Sequence, residues 1–320
     1  MCDRIINILF LGGAKRVSMG RKLIKAGAEL GCKVVLYSYE LEPHVPIAAV
    51  AEVIIGKRWK DPSLMEHLHE IVVDKNIDII LPFVDPAVAV AGAYVERFGD
   101  AWSPVVGPAF AEMLFDKVSC AMAFEEAGLS IPETYHAGRP VFPMIAKPRH
   151  GSASKGLQII NDVSEFRRII KVKDEYVIQR YYPDREEYTV DCYVGADGRP
   201  LCISPRKRLE VLGGEVSRTV TVYDLSIVDY AYAAIARLGL RGAVTIQYLR
   251  DRESGRLMLM EINPRLGGGV VCSVHAGADI PMLILREYIG LELRPVDEIL
   301  PGTMICRYFE ETVFYGCETE

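Results

Sequence analysis

Several patterns that mark common protein classes are missing from this sequence. Its eight cysteines include no Cys-x-x-Cys pair and its six histidines are dispersed, so neither a disulfide framework nor a zinc site is indicated, and a reducing cytoplasm is the simplest setting. The apolar run at residues 5–11 is too short to cross a membrane and lacks a signal-peptide pattern. The net charge is −6 and no basic stretch alternates with aromatics, which argues against nucleic-acid binding.

The composition is that of a soluble globular protein, and the first third of the chain has a repeating pattern. Half of the 320 residues are apolar and a quarter are charged, which leaves room for two or three domains. Within residues 1–107, apolar strand patterns alternate with helix patterns, which predicts a wound, parallel α/β sheet. The strand patterns cover residues 5–11, 33–38, 52–55 and 77–83.

The glycines after the first predicted strand invite comparison with a dinucleotide-binding loop. The run Gly12-Gly13-Ala14 does not match the G-x-G-x-x-G pattern. No convincing acidic residue ends the second strand, although Glu40 is close to it. The signal for NAD binding is therefore weak.

A lysine in a short strand precedes a loop of small residues. Lys147 lies within the apolar run Pro143 to Pro148, and residues 150–156 form a loop of Gly, Ser, Ala, His and Lys. Such a loop lets backbone N–H groups approach a phosphate while the ammonium neutralises its charge. A simple flexible hairpin is the alternative interpretation.

Towards the C-terminus, two predicted strands form a hairpin with polar residues on one face. The strands cover residues 243–250 and 257–263. Because residues two apart share a face, Glu261 and Asn263 point the same way, with Gln247 diagonally across from Glu261. These oxygen donors suit Mg²⁺. Solvated polar groups on an ordinary amphipathic hairpin are the alternative interpretation.

Two further groups of charged residues have two interpretations each. Asp85, just beyond a predicted strand, either belongs to a site or caps the helix that follows Pro86. Arg206, Lys207 and Arg208 follow another predicted strand and either face a substrate or form a solvated charged run.

Taken in order along the chain, these residues resemble the ATP-grasp superfamily, in the branch of the carbamoyl-phosphate-synthetase large chain, biotin carboxylase and the pyrrolysine-biosynthesis ligase. The series that carries the resemblance is Asp116-Lys117, Lys147 before its loop, Gln179 to Tyr182, Glu187, Gln247 and Glu261-x-Asn263-x-Arg265. The resemblance implies an α/β and α+β fold. A wound pre-ATP-grasp domain at residues 1–107 would precede a two-lobed ATP-grasp domain, with its small lobe at 108–185 and its large lobe at 186–320.

The resemblance also implies roles for the residues of this series. The lysines would contact the ATP phosphates, the small-residue loop would close over them, the hinge would meet adenine, and the glutamate at 187 would hold the ribose. The implied nucleotide-binding set is Lys117, Lys147, Ser152, Ser154, Gly156, Gln179, Arg180, Tyr181, Tyr182 and Glu187. Family members usually have Glu at the position of Gln179. The implied metal ligands for Mg²⁺, or Mn²⁺ in its place, are Gln247, Glu261 and Asn263, and the implied catalytic residues are Arg265 and Lys147.

The function that follows from the resemblance is a Mg·ATP-dependent ligase. It would join a small-molecule carboxylate to an amine, or to a thiol, through an acyl-phosphate, and it would act in the cytoplasm as a homodimer without a nucleic-acid or membrane partner. One alternative is a nicotinamide-dependent oxidoreductase built on the N-terminal sheet, which leaves the Glu261-x-Asn263-x-Arg265 series unexplained. The other is a non-catalytic nucleotide-binding protein, which the complete set of metal ligands disfavours.

Overall fold

The computed structural model describes residues 4–151, 155–296 and 298–317. The predicted phosphate-loop residues Ser152 and Ser154 lie outside these ranges. Among the described residues, none of the helices combines the length and the apolar character needed to span a membrane.

Four parallel strands form the N-terminal sheet, which confirms the predicted wound α/β pattern. Their order across the sheet is β3-β2-β1-β4, with β1 (Ile5–Leu11), β2 (Lys33–Glu40), β3 (Glu52–Ile55) and β4 (Ile79–Pro82). The intervening helices are α1 (Val17–Glu29) and α2 (Leu64–Asp74), with a short 3-10 helix at Pro46–Ala49; α3 (Asp85–Arg97) and α4 (Pro108–Phe115) follow the last strand. Ile8 packs towards α1 and Leu9 towards α2 and α3, as expected for a parallel sheet covered on both faces.

The next segment forms a small antiparallel sheet. Its strands are ordered β6-β5-β7, with β5 (Met144–Pro148), β6 (Gln158–Ile160) and β7 (Tyr176–Arg180). The helices of this segment are α5 (Lys117–Glu126), α6 (Val163–Ile169) and a 3-10 helix at Ile170–Glu175. Met144, Ala146 and Ile178 pack against Phe166. Because strand residues alternate between faces, Lys147 and Gln179 point to the opposite side.

A six-stranded, mainly antiparallel sheet forms the large lobe. Its order is β12-β11-β8-β9-β10-β13, with β8 (Arg185–Val194), β9 (Pro200–Leu212), β10 (Glu215–Thr221), β11 (Gly242–Asp251), β12 (Leu257–Asn263) and β13 (Met304–Cys306). The helices of this lobe are α7 (Leu225–Leu238), α8 (Val270–His275) and α9 (Ile280–Tyr288). On β8, Tyr188, Val190 and Cys192 join the apolar core with α7, so Glu187 and Asp191 belong to the other, polar face.

The N-terminal sheet and the large lobe pack together through a shared apolar core. Leu23 of α1 is buried in the same cluster as Ile280 and Leu285 of α9. Gly242, at the start of β11, has a φ of +71°, and a Cβ there would lie 1.9 Å from the carbonyl oxygen of Pro104. A side chain at Gly242 would therefore push the N-terminal domain away from the sheet.

Candidate active site

A cavity of about 520 Å³ lies between the small sheet, the polar face of the large sheet and the start of α3. This volume is in the range of small-molecule and cofactor sites. The predicted site residues that line it are Lys117, Lys147, Gln179, Arg180, Tyr181, Tyr182, Glu187, Gln247, Glu261 and Asn263. Gly156 lies in the turn after the small-residue loop, beside Pro148. Arg265 does not line the cavity, but it binds Asp85, which does line it.

At one end of the cavity, the start of α5 fixes Lys117 beside the small-residue loop. Asp116 caps this helix, as its carboxylate accepts hydrogen bonds from the backbone N–H of Val118 at 3.0 Å and of Ser119 at 3.3 Å. The same carboxylate binds Arg149 Nε at 2.7 Å. Lys117 Nζ donates to the carbonyl oxygen of Gly151 at 2.5 Å. The ammonium group is therefore held where the loop begins.

Lys147 lies at the inner end of the cavity, where it is hydrogen-bonded to a neutral partner. Its Nζ donates to Gln179 Oε1 at 2.9 Å, and Gln179 Nε2 donates to Thr134 Oγ1 at 3.2 Å. These two contacts fix the orientation of the amide, because an ammonium group can only donate. Burial lowers the pKa of Lys147 to about 8, an effect that the charge of Glu261 partly offsets.

In the segment after β7, Tyr182 lines the cavity and has a free backbone donor. The N–H of Arg180 binds Glu133 O at 2.8 Å, and the N–H of Tyr181 binds Pro143 O at 2.9 Å. The carbonyl oxygen of Tyr182 accepts from Arg185 at 2.8 Å. The N–H of Tyr182 has no hydrogen-bond partner among the described residues. Of the predicted hinge residues, Tyr182 thus offers the free donor.

Glu187 and two arginines form the wall beside this segment. Arg185 Nε binds Glu187 Oε1 at 2.9 Å, and Arg208 lies 3.8 Å from the other carboxylate oxygen. Burial lowers the pKa of Arg208, which Glu187 partly counteracts. No separate role is predicted for Arg185 from the sequence, because an arginine in a charged connector is most often solvated.

The predicted metal ligands come together, with one correction to their register. Gln247 lies directly opposite Glu261, and not diagonally across, because a bulge between Gln247 and Tyr248 shifts the pairing of β11 with β12. Within the described ranges, the carboxylate of Glu261 makes no hydrogen bond or ion pair. Gln247 Oε1 accepts a hydrogen bond from Arg208 Nη1 at 2.5 Å. No cluster of three His, Cys, Asp or Glu side chains suited to a metal occurs in the described chain.

These contacts are compatible with a divalent cation. Glu261 is a half-buried carboxylate that lines the cavity and makes no direct contact with another described residue, so its oxygens are free to bind a cation. Asn263 is buried on the same face and adds an amide oxygen. The Gln247 oxygen keeps a second lone pair beside its bond to Arg208. One carboxylate, two amides and substrate phosphates form a set of oxygen ligands that suits Mg²⁺.

Arg265 is anchored across the domain boundary. Its Nε donates to Asp85 Oδ1 at 2.5 Å, and its Nη2 lies 3.4 Å from Asn263 Oδ1. Asp85 is the first residue of α3, and the N-cap position is held by Val84, so Asp85 does not cap this helix. Of the two interpretations from the sequence, the structure therefore favours the site residue.

The run Arg206, Lys207 and Arg208 divides between three environments. Arg206 is 3% exposed and binds Asp191 at 2.8 Å. Lys207 points to the opposite face of β9 and binds Glu186 at 2.6 Å. Arg208 alone of the three lines the main cavity. The period-2 alternation of a strand was the signal that could have separated Lys207 from its neighbours.

An acidic residue lies beside the glycine loop after β1. Strand β2 ends at Glu40, so the prediction that no convincing acidic residue ends this strand was wrong. The Glu40 carboxylate accepts a hydrogen bond from Ser38 Oγ at 2.6 Å. Burial raises the pKa of Glu40, against the opposing effects of Ser38 and of the backbone N–H groups of Gly13 and Ala14. An acidic residue at the end of the second strand is part of the dinucleotide fingerprint, so the glycine spacing, which does not match G-x-G-x-x-G, is the remaining argument against NAD.

Comparison with known proteins agrees with this geometry. Residues 173–307 match a family model described as ATP-grasp in the biosynthetic pathway with Ter operon. A curated relative is the carbamoyl phosphate synthase large chain, N-terminal section, of Methanopyrus kandleri, which is 22% identical over 203 residues. That match covers 58% of this chain but 36% of the relative, so the chain spans about a third of the relative's length.

Two solved structures extend the likeness over nearly the whole chain. The biotin carboxylase domain dimer of Hydrogenobacter thermophilus 2-oxoglutarate carboxylase, determined with MgADP and bicarbonate, has a TM-score of 0.73 at 16% identity and covers 93% of this chain and 73% of its own. L-amino acid ligase from Bacillus licheniformis has a TM-score of 0.68 at 18% identity and covers 92% of this chain and 78% of its own. Residues 173–307 thus match an ATP-grasp family model, and the chain has the fold of ATP-grasp enzymes. The resemblance and the fold class predicted from the sequence are thereby confirmed.

Proposed function

We propose that this chain is a Mg·ATP-dependent ligase that joins a small-molecule carboxylate to an amine, or to a thiol, through an acyl-phosphate. The observation that carries the proposal is the single cavity that contains Lys117, Lys147, the unpaired Glu261 and Asn263. The likeness to an L-amino acid ligase and to a biotin carboxylase domain supports the reaction class. The glycine spacing after β1, which does not match G-x-G-x-x-G, argues against a nicotinamide cofactor.

The nucleotide would lie between the two sheets. Lys117 and Lys147 would neutralise phosphate charge, with Gly156 and the adjoining Ser152 and Ser154 closing the loop over the phosphates. The predicted hinge is Gln179 to Tyr182, and the free N–H of Tyr182 is its donor for a ring nitrogen of adenine. The Glu187 carboxylate now accepts a hydrogen bond from Arg185. When the nucleotide binds, it would accept hydrogen bonds from the ribose hydroxyls in place of part of that contact.

Glu261, Asn263 and Gln247 would hold one or two Mg²⁺ ions, or Mn²⁺. When bound, the metal would neutralise phosphate oxygens and let a second anion approach the γ-phosphate. The MgADP in the biotin carboxylase structure supports the choice of metal. Arg208 would meet the phosphates or the acyl-phosphate next to the metal ligands, since it already lies on Gln247.

The proposed reaction has two steps. A carboxylate oxygen attacks the γ-phosphorus and the bond to ADP breaks, which gives an acyl-phosphate. An amine or thiol then attacks the acyl carbon, loses a proton and releases inorganic phosphate. Arg265 and Lys147 would stabilise the charge on the transferring phosphoryl group. Electrostatic stabilisation of this kind is the largest contribution to catalysis of phosphoryl transfer. The enclosing small lobe would keep water away from the acyl-phosphate.

The setting of the enzyme is also a proposal. We infer a cytoplasmic protein with small-molecule substrates and without a nucleic-acid or membrane partner. A homodimer is supported by the dimer described for the biotin carboxylase domain.

The test combines binding with turnover in two matched variants. Calorimetric titration with Mg·ATP, with ATP plus chelator and with NAD should show metal-dependent binding of ATP and no binding of NAD. ADP release is then screened over pairs of amino acids and amines. Glu261→Ala should reduce turnover at least 100-fold while part of the nucleotide affinity remains, whereas Glu253→Ala in the exposed turn of the same hairpin should change neither. Unchanged turnover in Glu261→Ala would refute the metal assignment, and NAD binding without ATP binding would refute the proposed function.

A further inference from the structure

Asp85 and Arg265 form an ion pair between two parts of the chain that are 180 residues apart in sequence. The side chains are only 21% and 16% exposed, and Arg265 Nε lies 2.5 Å from Asp85 Oδ1. Asp85 begins α3 in the N-terminal domain, while Arg265 follows β12 in the large lobe. The contact therefore ties the guanidinium group to the N-terminal domain at the edge of the cavity.

Asp85 is the closest anchor of this guanidinium group. The other two contacts of the side chain, from Nη2 to Asn263 Oδ1 and from Nη1 to Leu266 O, are both 3.4 Å long. A charge-assisted hydrogen bond at 2.5 Å is much stronger than neutral ones at the limit of the distance range. Without Asp85, the long side chain would be free to adopt other rotamers.

The geometry of the pair leaves the outer edge of the arginine available. A guanidinium group has five N–H donors in one plane, and Asp85 uses the one on Nε. The four donors on Nη1 and Nη2 are engaged only by the two long contacts. A planar edge of this kind suits the oxygens of a transferring phosphoryl group.

We propose that Asp85 is a positioning residue that holds Arg265 in the orientation required for phosphoryl transfer. This inference rests on the proposed function, because it assigns a partner to the arginine that stabilises the transferring group. Asp85 acts through Arg265 and not by contact with the nucleotide. Its loss should therefore weaken binding of a phosphoryl-transfer mimic while binding of the product nucleotide remains.

The test needs no knowledge of the substrates. The affinity of the protein is measured by calorimetry for MgADP and for MgADP with aluminium fluoride, which mimics a transferring phosphoryl group. For Asp85→Ala we expect a loss of roughly 10- to 100-fold in affinity for the aluminium fluoride complex, the scale of a misplaced catalytic group. The affinity for MgADP alone should change less than about threefold. Asp85→Asn keeps an acceptor for Nε, so it should fall between Asp85→Ala and wild type.

Asp78→Ala is the matched control. Asp78 lies just before the start of β4, whereas Asp85 lies beyond its end. Asp78 also joins the two domains, because its carboxylate accepts a hydrogen bond from Tyr288 Oη at 2.5 Å. It is not a lining residue of the cavity. If Asp85 only helps to join the domains, both variants should lose affinity for the two ligands alike. Thermal unfolding of each variant confirms that it is folded.

The outcomes separate this inference from the proposed function. If wild type gains no affinity with aluminium fluoride, the proposed function fails and the inference fails with it. If wild type gains affinity and Asp85→Ala gains as much, only the role of Asp85 is refuted. A combined Asp85→Ala and Arg265→Ala protein should lose no more than Arg265→Ala alone, since both remove the same interaction. Additive losses would likewise refute positioning through Arg265.

Discussion

Replacing Gln179 with glutamate should raise the pKa of Lys147 and extend nucleotide binding to higher pH. Lys147 Nζ lies 2.9 Å from Gln179 Oε1, and burial lowers its pKa to about 8. An opposite charge at this distance favours the protonated amine by roughly 1–3 pKa units. Thr134 can adapt, because its hydroxyl, which now donates to Pro132 O at 3.2 Å, can turn to donate to the new carboxylate.

The sign of the effect follows from the charge of the nucleotide. Phosphates bind the protonated lysine, so wild-type affinity should be constant below the pKa of about 8 and fall by up to tenfold per pH unit above it. In Gln179→Glu the decrease should begin at roughly pH 9 to 10. Between pH 7 and 9, wild type should lose about tenfold in affinity, and the variant at most about twofold.

The assay is calorimetric titration with MgADP at pH 7, 8 and 9. Comparing each protein with itself at pH 7 removes any uniform effect of the added carboxylate on nucleotide binding. Gln158→Glu is the control, because Gln158 is exposed on the same small sheet and binds Tyr176 Oη instead of Lys147. Wild-type affinity that stays constant up to pH 9, or equal pH profiles in both variants, would refute the assignment of Lys147 as a titrating phosphate ligand.

Two further predictions concern ion pairs outside the cavity. Asp191→Ala would leave the buried Arg206 without its partner, so urea unfolding should show a loss of roughly 3–5 kcal/mol; a loss below about 1 kcal/mol would contradict this. Burial would raise the pKa of Glu215, but Arg16 and Arg307 together lower it to about 2. The stability that Glu215 contributes is therefore fully present above the pKa of the unfolded state and is lost as the pH falls towards 2. Glu215→Gln should therefore lower stability at pH 7 by less than about 1 kcal/mol, because the side chain is partly exposed, and the difference from wild type should shrink near pH 2.

The elements that could be predicted from the sequence are those specified by local periodicity. The apolar runs of the wound sheet and the hairpin of β11 and β12 are regular enough to be read directly. The face shared by Glu261 and Asn263 follows from the period of a strand alone. Asp116 caps α5, and an Asp directly before a helix is likewise a signal that can be read locally.

Contacts between elements distant in sequence could not be predicted. The pairing of Gln247 with Glu261 depends on a bulge that has no marker in the residue types. The contact of Arg208 with Gln247 needs the register of β9 against β8 and of β8 against β11. Asp85 meets Arg265 only once the N-terminal domain has docked on the large lobe. In each case the polar partner is chosen by tertiary packing, which sequence patterns do not encode locally.

The charges around the cavity bear on the class of substrate. The described lining residues include seven cationic side chains and three carboxylates, an excess of four positive charges: Lys60, Lys117, Lys147, Lys155, Arg180, Arg185 and Arg208 against Asp85, Glu187 and Glu261. ATP carries about four negative charges near neutral pH, so the protein alone would balance it. A bound Mg²⁺ would add two positive charges beyond those that balance the charge of ATP. In an enclosed site, such an excess of positive charge favours binding of a further anion. We infer that the acceptor of the phosphoryl group enters as an anion, as a carboxylate does, and a neutral acceptor would leave this charge uncompensated.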